Sequence, residues 1–150
     1  MSRTLNTTHK EDRVALDELG KFFALFGERQ ARGDNRPMPM FSERIDDAWH
    51  RLTADSEGLA SFCARHAGIP VGHVPVQGSG NVDWVQEYTT HFGALPHVWF
   101  TDASGQIDAA ALHRYEREGI VVTGWDCTPV PSGGDDEVAR SPLTTTACQR

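Results

Sequence analysis

Apolar residues recur at helical spacing in four blocks of this chain, and proline or glycine closes every gap between them. Val14, Leu16, Leu19, Phe22, Phe23 and Phe26 put the first block on one face of a helix that reads from about Lys10 to Ala31 and stops at Gly33 and Asn35. Gly20 and Gly27 lower its expected stability without breaking it. Pro37 and Pro39 cannot continue a helix, because each removes an amide donor and biases its predecessor toward extended backbone. Ser42 and Glu43 open the second block, a stripe of Ile45, Ala48, Trp49 and Leu52; Asp55 or Ser56 then re-caps the chain for Leu59, Phe62, Cys63 and His66, and Gly68 ends it. Asn81 caps a third helix over 82–92, and 108–118 reads as a fourth with Gly119 as its stop. Between the second and third blocks, "GIPVGHVPVQGSGN" reads as a loop of fixed turns. "HVWF" is a short extended piece, and "IVVTGWDC" is a β-like run that either pairs with it as a small hairpin or lies as an extended arm.

The expected fold class is therefore mainly α: one compact helical domain over residues 1–127, with a minor β-hairpin as its β option. Residues 128–150 hold too few apolar side chains to offset their ordering entropy and read as a flexible tail. At 150 residues the chain fits a single core.

Composition narrows the function. Residues 1–44 carry eight Lys/Arg against seven Asp/Glu, whereas 45–150 carry six against fourteen. An acidic body lacks the clustered positive charge that nucleic acid or an anionic membrane surface needs, so neither is an expected partner. No apolar run has the length of a membrane span, and the N-terminus lacks a secretory apolar stretch, which reads as a cytoplasmic protein. Arginine outnumbers lysine twelve to two, as a GC-rich bacterial genome would give. Cys63, Cys127 and Cys148 form an odd set with long, unequal spacings, which is neither a disulfide framework nor a CxxC zinc pattern; reduced thiols are the expectation, with Cys148 near the C-terminus as the exposed one.

The stretch Arg44 to Pro75 concentrates the residues able to do chemistry. Asp46 and His50 are one helical turn apart, with Asp47 on the other shoulder. An aspartate in that position orients an imidazole and raises its basicity, which suits a metal ligand or a general base; the plainer reading is a solvated pair beside the Trp49 stripe. Cys63 and His66 share the spacing of two ligands to one ion, although Cys63 also falls on the Leu59/Phe62 stripe as a small core residue. His73 sits in a Gly72–His73–Val74–Pro75 segment whose backbone is constrained. His91, His97 and His113 are isolated. Trp84, Tyr88 and Phe92 make one helix face and, with Trp99, read as core or interface aromatics. Asp126 and Cys127 are able to join a site formed elsewhere, but the preferred reading is a chain-terminal arm docking through Trp125, because no spacing links them to His50. HExxH, GxSxG, Walker and GxGxxG patterns are absent.

The same stretch resembles the N-terminal module of the glycine-rich domain-containing protein-like family, whose members tend to show Asp, then Trp-His, then an aromatic-Cys pair about a dozen residues on, then a His-Pro turn. Here those positions are Asp46 or Asp47, Trp49–His50, Phe62–Cys63 and His73–Val74–Pro75, and "YTTHFGALPHVWF" is similar to a downstream Tyr, Phe-Gly and Trp segment. The resemblance spans roughly residues 10–100. The family's turn usually has two consecutive histidines where this chain has Gly72–His73, and its Cys/Gly-rich tail is missing, although Gly133 and Gly134 lie in the tail. It implies His50, Cys63 and His73 as a shared polar set and brings no reaction with it.

These readings lead to a small accessory or interaction protein that binds a transition metal, zinc by ligand type, through His50, Cys63 and His73, with Asp46 or Asp47 orienting them. Its expected partner is another protein or a small molecule. An enzyme using His50 as general base in a cleft lined by Trp49 and Trp99 is the alternative from a different class. A further one takes "SPLTTTACQR" as a modified peptide substrate, against the plain reading of a polar tail.

Overall fold

A computed structural model describes residues 2–131, with side chains from Asp12 onward. The elements run α1 (Ser2–Ala31), α2 (Glu43–Thr53), α3 (Ser56–His66), β1 (Val71–Asn81), α4 (Val85–Phe92), a 3-10 turn (His97–Phe100), α5 (Ala109–Glu118) and β2 (Val122–Pro131). Among the described residues, five helices around one two-stranded antiparallel ribbon make a mainly α fold with a minor hairpin pairing, as expected from the sequence. Among the described residues, no helix is long and apolar enough to cross a membrane.

Three of the helix starts were legible, whereas Asn81, expected to cap a helix from residue 82, ends β1, and α4 begins at Val85 behind Trp84 with no side-chain cap. Ser42 Oγ accepts from Ile45 N at 3.2 Å, Asp55 Oδ1 from Gly58 N at 3.0 Å and Asp108 Oδ1 from Ala111 N at 3.2 Å, each satisfying an amide that a helix start leaves without a partner. Gly119 closes α5 in the left-handed region at φ 73°, where a side chain would strain.

The core is the predicted stripe of α1 (Leu19, Phe22, Phe23, Phe26) packed against Trp49 of α2, Phe62 of α3 and the Trp84/Tyr88/Trp99 cluster. Phe92, placed on the same face from its spacing, is instead exposed. The two glycines of α1 have a packing reason. A Cβ at Gly27 would lie 2.2 Å from the carbonyl oxygen of Ala67, and one at Gly20 would lie 2.8 Å from the His66 ring, so glycine lets α1 and the end of α3 approach closely.

Glu18 and Arg29 are charged groups buried within this core. Glu18 Oε1 accepts from Tyr88 Oη at 2.5 Å and from Trp99 Nε1 at 2.9 Å, while Lys21 Nζ donates to Oε2 at 3.0 Å. Burial and the Glu18 carboxylate together push the Tyr88 hydroxyl far above its ordinary range, so it stays a donor. Arg29, fully buried, grips Glu87 with Nε and Nη2, Asp83 with Nη2 at 3.2 Å, and the carbonyls of Arg36 and Pro37 with Nη1 at 3.1 and 3.3 Å. This clasp ties the end of α1 to α4 and to the proline segment that leads into α2.

The β pairing corrects the sequence reading in three places. "HVWF" is a 3-10 turn, and the partner of the "VVTGWDC" run is Val71–Asn81, the stretch read as a loop. Its proline, Pro75, and its glycines are tolerated because a two-stranded ribbon has two edges, and a bulge between Pro75 and Gly78 absorbs the irregularity. Residues 128–131, assigned to the tail, continue β2 opposite Val71–Val74, with Thr128 buried. Residues 132–150, with Cys148 and the threonines of the peptide-substrate reading, lie outside the described residues.

Candidate metal centre

The Ser42 cap fixes where α2 begins, and so puts Asp46 in its first turn and His50 one turn later on the same face. Asp46 is almost fully buried. His73 comes from β1, where Pro75 faces Cys127 and His73 faces Pro129 across the ribbon, so His73 and Cys127 are diagonal neighbours on one face. Met40 N donates to the carbonyl of Cys127 at 2.9 Å, which pins β2 beside the segment entering α2. These tethers bring the ribbon face onto the Asp46/His50 face of α2.

The result is a cluster of Asp46, His50, His73 and Cys127 whose donor atoms all lie within 4.8 Å of one another. His73 Nε2 is 2.9 Å from Asp46 Oδ1, and His50 Nε2 is 3.3 Å from Oδ2. The imidazoles meet edge to face at 4.4 Å between centroids, and the Trp49 ring packs on His73 at 4.2 Å. Burial penalises the Asp46 charge, but hydrogen bonds and attraction from the two histidines outweigh it and hold its pKa below the ordinary value. Trp49 Nε1, also buried, has no hydrogen-bond partner among the described residues.

Of the residues singled out from the sequence, His50, His73 and Asp46 converge, and Asp46 stands among the donor atoms rather than behind them. Asp47 is half-buried on the other shoulder of α2 and outside the cluster. Cys63 is also outside it. Its thiol is free and buried on the core stripe, and burial raises its pKa while a backbone hydrogen bond at Val71 only partly offsets this, which disfavours a thiolate. His66 packs on Phe62 at 4.4 Å and faces α1, where burial, then Arg65, depress its pKa. Trp99 belongs to the aromatic core, away from His50.

Cys127 is the member that spacing failed to find. The signal was there as alternation: His73 and Pro75 share one strand face, as do Cys127 and Pro129, but only the pairing of two distant segments turns alternation into proximity. Cys127 is also disulfide-bonded, which corrects the expectation of reduced thiols throughout. A cleft of about 420 Å³, with Phe41, Glu43, Gln77, Trp125 and Asp126 in its walls, flanks the strand that carries Cys127.

The geometry suits a small ion. Bonds of about 2.0–2.3 Å in a tetrahedral zinc site put neighbouring donors roughly 3.3–3.8 Å apart, so the two Asp46 contacts already have nearly that spacing and the widest pair needs to close by about 1 Å. Comparison of the chain with protein-family models, curated proteins and solved structures found no match.

Proposed function

We propose that this is a small metal-binding accessory protein whose centre is built from Asp46, His50 and His73, with Cys127 as the fourth donor when it is a thiol. The observation that carries this reading is the convergence of a carboxylate, two imidazoles and a sulfur from α2, β1 and β2 on one small, largely buried volume. A carboxylate, two imidazoles and a thiolate form a borderline donor set, for which zinc is the natural ion. The likeness to the glycine-rich domain-containing protein-like family fits this reading through Asp46, His50 and His73, with Cys63 reassigned to the core.

An imidazole nitrogen that donates to the Asp46 carboxylate, as His73 Nε2 is placed to do at 2.9 Å, must lose its proton before that nitrogen ligates. Binding therefore releases protons, and affinity falls as the solution is acidified. The partner that receives or senses the ion is another protein or a small molecule, in keeping with an acidic body and without a role in nucleic-acid binding.

The test is metal content by elemental mass spectrometry on protein purified without a histidine tag under reducing conditions, beside a His50→Ala/His73→Ala variant and a Cys63→Ser control. The expected result is close to one zinc per chain in the parent and in Cys63→Ser, and loss in the double variant. Absence of any transition metal from the folded parent, even after zinc is supplied in solution, refutes the reading. The alternative of His50 as a general base has less support, because the flanking cleft is walled by residues of the 41–43 segment and the ribbon rather than by Trp49 and Trp99.

A further inference from the structure

We propose that the cleft beside the ribbon binds a small organic cation, an amidinium or ammonium group carried on a flat apolar body; the inference goes beyond the metal-binding reading and does not depend on it. The cleft, of about 420 Å³, has the volume of a site for a free small molecule. Two aromatic rings line it, Phe41 from the segment entering α2 and Trp125 from β2, and both are held in place. Trp125 stands opposite Gly78 across the ribbon, and a Cβ at Gly78 would lie 2.8 Å from the indole, so glycine lets the ring lie close against the β1 backbone. Phe41 packs on Trp84, Trp99 and Phe100 at 5.8, 5.2 and 5.9 Å between centroids.

The lining also sets the sign of the ligand. Glu43, from the first turn of α2, and Asp126, from β2, are half-buried carboxylates, and no Lys, Arg or His is among the described residues that line the cleft. Ala103 N donates to Glu43 Oε1 at 3.2 Å and Gln77 Nε2 to Asp126 Oδ1 at 3.4 Å, neutral donors that orient the carboxylates without cancelling their charge. Carboxylates on an open surface attract only hydrated counter-ions. Here partial burial strengthens the attraction, and the rings give an organic cation both apolar surface to cover and a cation–π contact, neither of which a hydrated metal ion can use. Glu43 lies one helical turn before Asp46, and Trp125 shares a ribbon face with Cys127, so the occupant sits beside the metal cluster without using its donors.

Benzamidine, a flat cation, and benzamide, its neutral isostere, are the probes, titrated into the full chain with a chelator present so that no transition metal contributes. The readout is the set of indole N–H signals in proton–nitrogen NMR. The Trp125 signal should move saturably with benzamidine, while those of Trp84 and Trp99, whose N–H groups donate to Pro39 O and Glu18 in the core, stay in place. Benzamide should move none of them. Glu43→Gln and Asp126→Asn keep an acceptor oxygen and so the fold; each should weaken benzamidine binding about threefold, and the two together about tenfold. The exposed Glu116→Gln, on α5, should change nothing. His50→Ala/His73→Ala should bind benzamidine as the parent does, so failure of the metal reading leaves this result standing. A Trp125 signal that stays fixed at millimolar benzamidine, an equal response to benzamide, or full affinity in the Glu43→Gln/Asp126→Asn variant overturns the proposal. A capped arginine tripeptide that binds tenfold more tightly than benzamidine would put the cation on a protein partner and overturn the assignment to a free small molecule.

Discussion

Replacing Glu87 with Gln removes the main anionic partner of a fully buried arginine. Arg29 Nε lies 3.1 and 3.0 Å from the two Glu87 oxygens, and Arg32 Nη2 donates to Oε1 at 3.0 Å. Stripping one partner from a buried ion pair typically costs about 3–5 kcal/mol, because a charge is left uncompensated. Here Asp83 remains at 3.2 Å and two backbone carbonyls still accept from Arg29, and the new amide oxygen keeps one of the hydrogen bonds. The expected loss is therefore about 2–3 kcal/mol at neutral pH, or a fall in Tm of roughly 8 °C for a chain of this size. The pH dependence has a definite sign. Burial raises the Glu87 pKa, but Arg29 and Arg32 lower it further, so its net shift is downward. Its contribution is complete above the unfolded pKa and fades as pH falls through the lower folded value. Urea unfolding of parent and variant at pH 7 and pH 3 is the assay: the difference should be full at pH 7 and much reduced at pH 3. A difference below about 0.5 kcal/mol at pH 7, or one equally large at both pH values, would refute the claim that this clasp carries the charge pairing. Because the same arginine holds the carbonyls of Arg36 and Pro37, amide exchange along 34–41, the approach to α2, should quicken in Glu87→Gln.

Three more perturbations probe the core and the centre. Glu18→Leu leaves the Tyr88 hydroxyl and the Trp99 indole N–H buried without an acceptor, at about 1–3 kcal/mol each, so equilibrium unfolding should show a loss near 4 kcal/mol, whereas Glu18→Gln keeps an oxygen for both and should lose less than half of that. Gly27→Ala drives a methyl to 2.2 Å from the Ala67 oxygen, and separating α1 from the end of α3 should cost more than about 2 kcal/mol despite the better helix propensity of alanine, read as a fall in Tm. Zinc at a hundred times its dissociation constant should stabilise the reduced parent by about 2.7 kcal/mol in thermal unfolding at pH 7.5, and by clearly less at pH 5.5, where protons compete for the imidazoles.

What could be read beforehand was local. Ser42, Asp55, Asp108 and Gly119 announce helix ends through chemistry confined to one turn, and the Phe22/Phe23/Phe26 stripe announces a buried face by its period. Asp46 and His50 share a helix face, so their contact followed from spacing alone. Long-range pairing was illegible. The 71–81 stretch has Pro75 and three glycines, so its composition argued for turns, and only the antiparallel run from Val122 supplies the hydrogen bonds that make it a strand. That one missing pairing accounts for the tail boundary at 128, for "HVWF" as a partner, and for choosing Cys63 over Cys127. Cys63 was attractive because it stands close to His66 and His73 in the chain, but its position on the Leu59/Phe62 stripe turned it inward.

The ribbon also sets a timetable. Asp46 and His50 are translated well before Cys127, and β2 reaches β1 only after α4, the 3-10 turn and α5 have been made. Joining segments that far apart is the slow, entropy-limited part of folding, while the helices around α1 collapse on local contacts. A nascent chain can therefore bury Trp49, Trp84 and Trp99 and still lack the sulfur side of the cluster. Four-donor ion capture would then come late in biogenesis, marking chains whose synthesis has run through β2 and setting them apart from truncated products that look equally well packed.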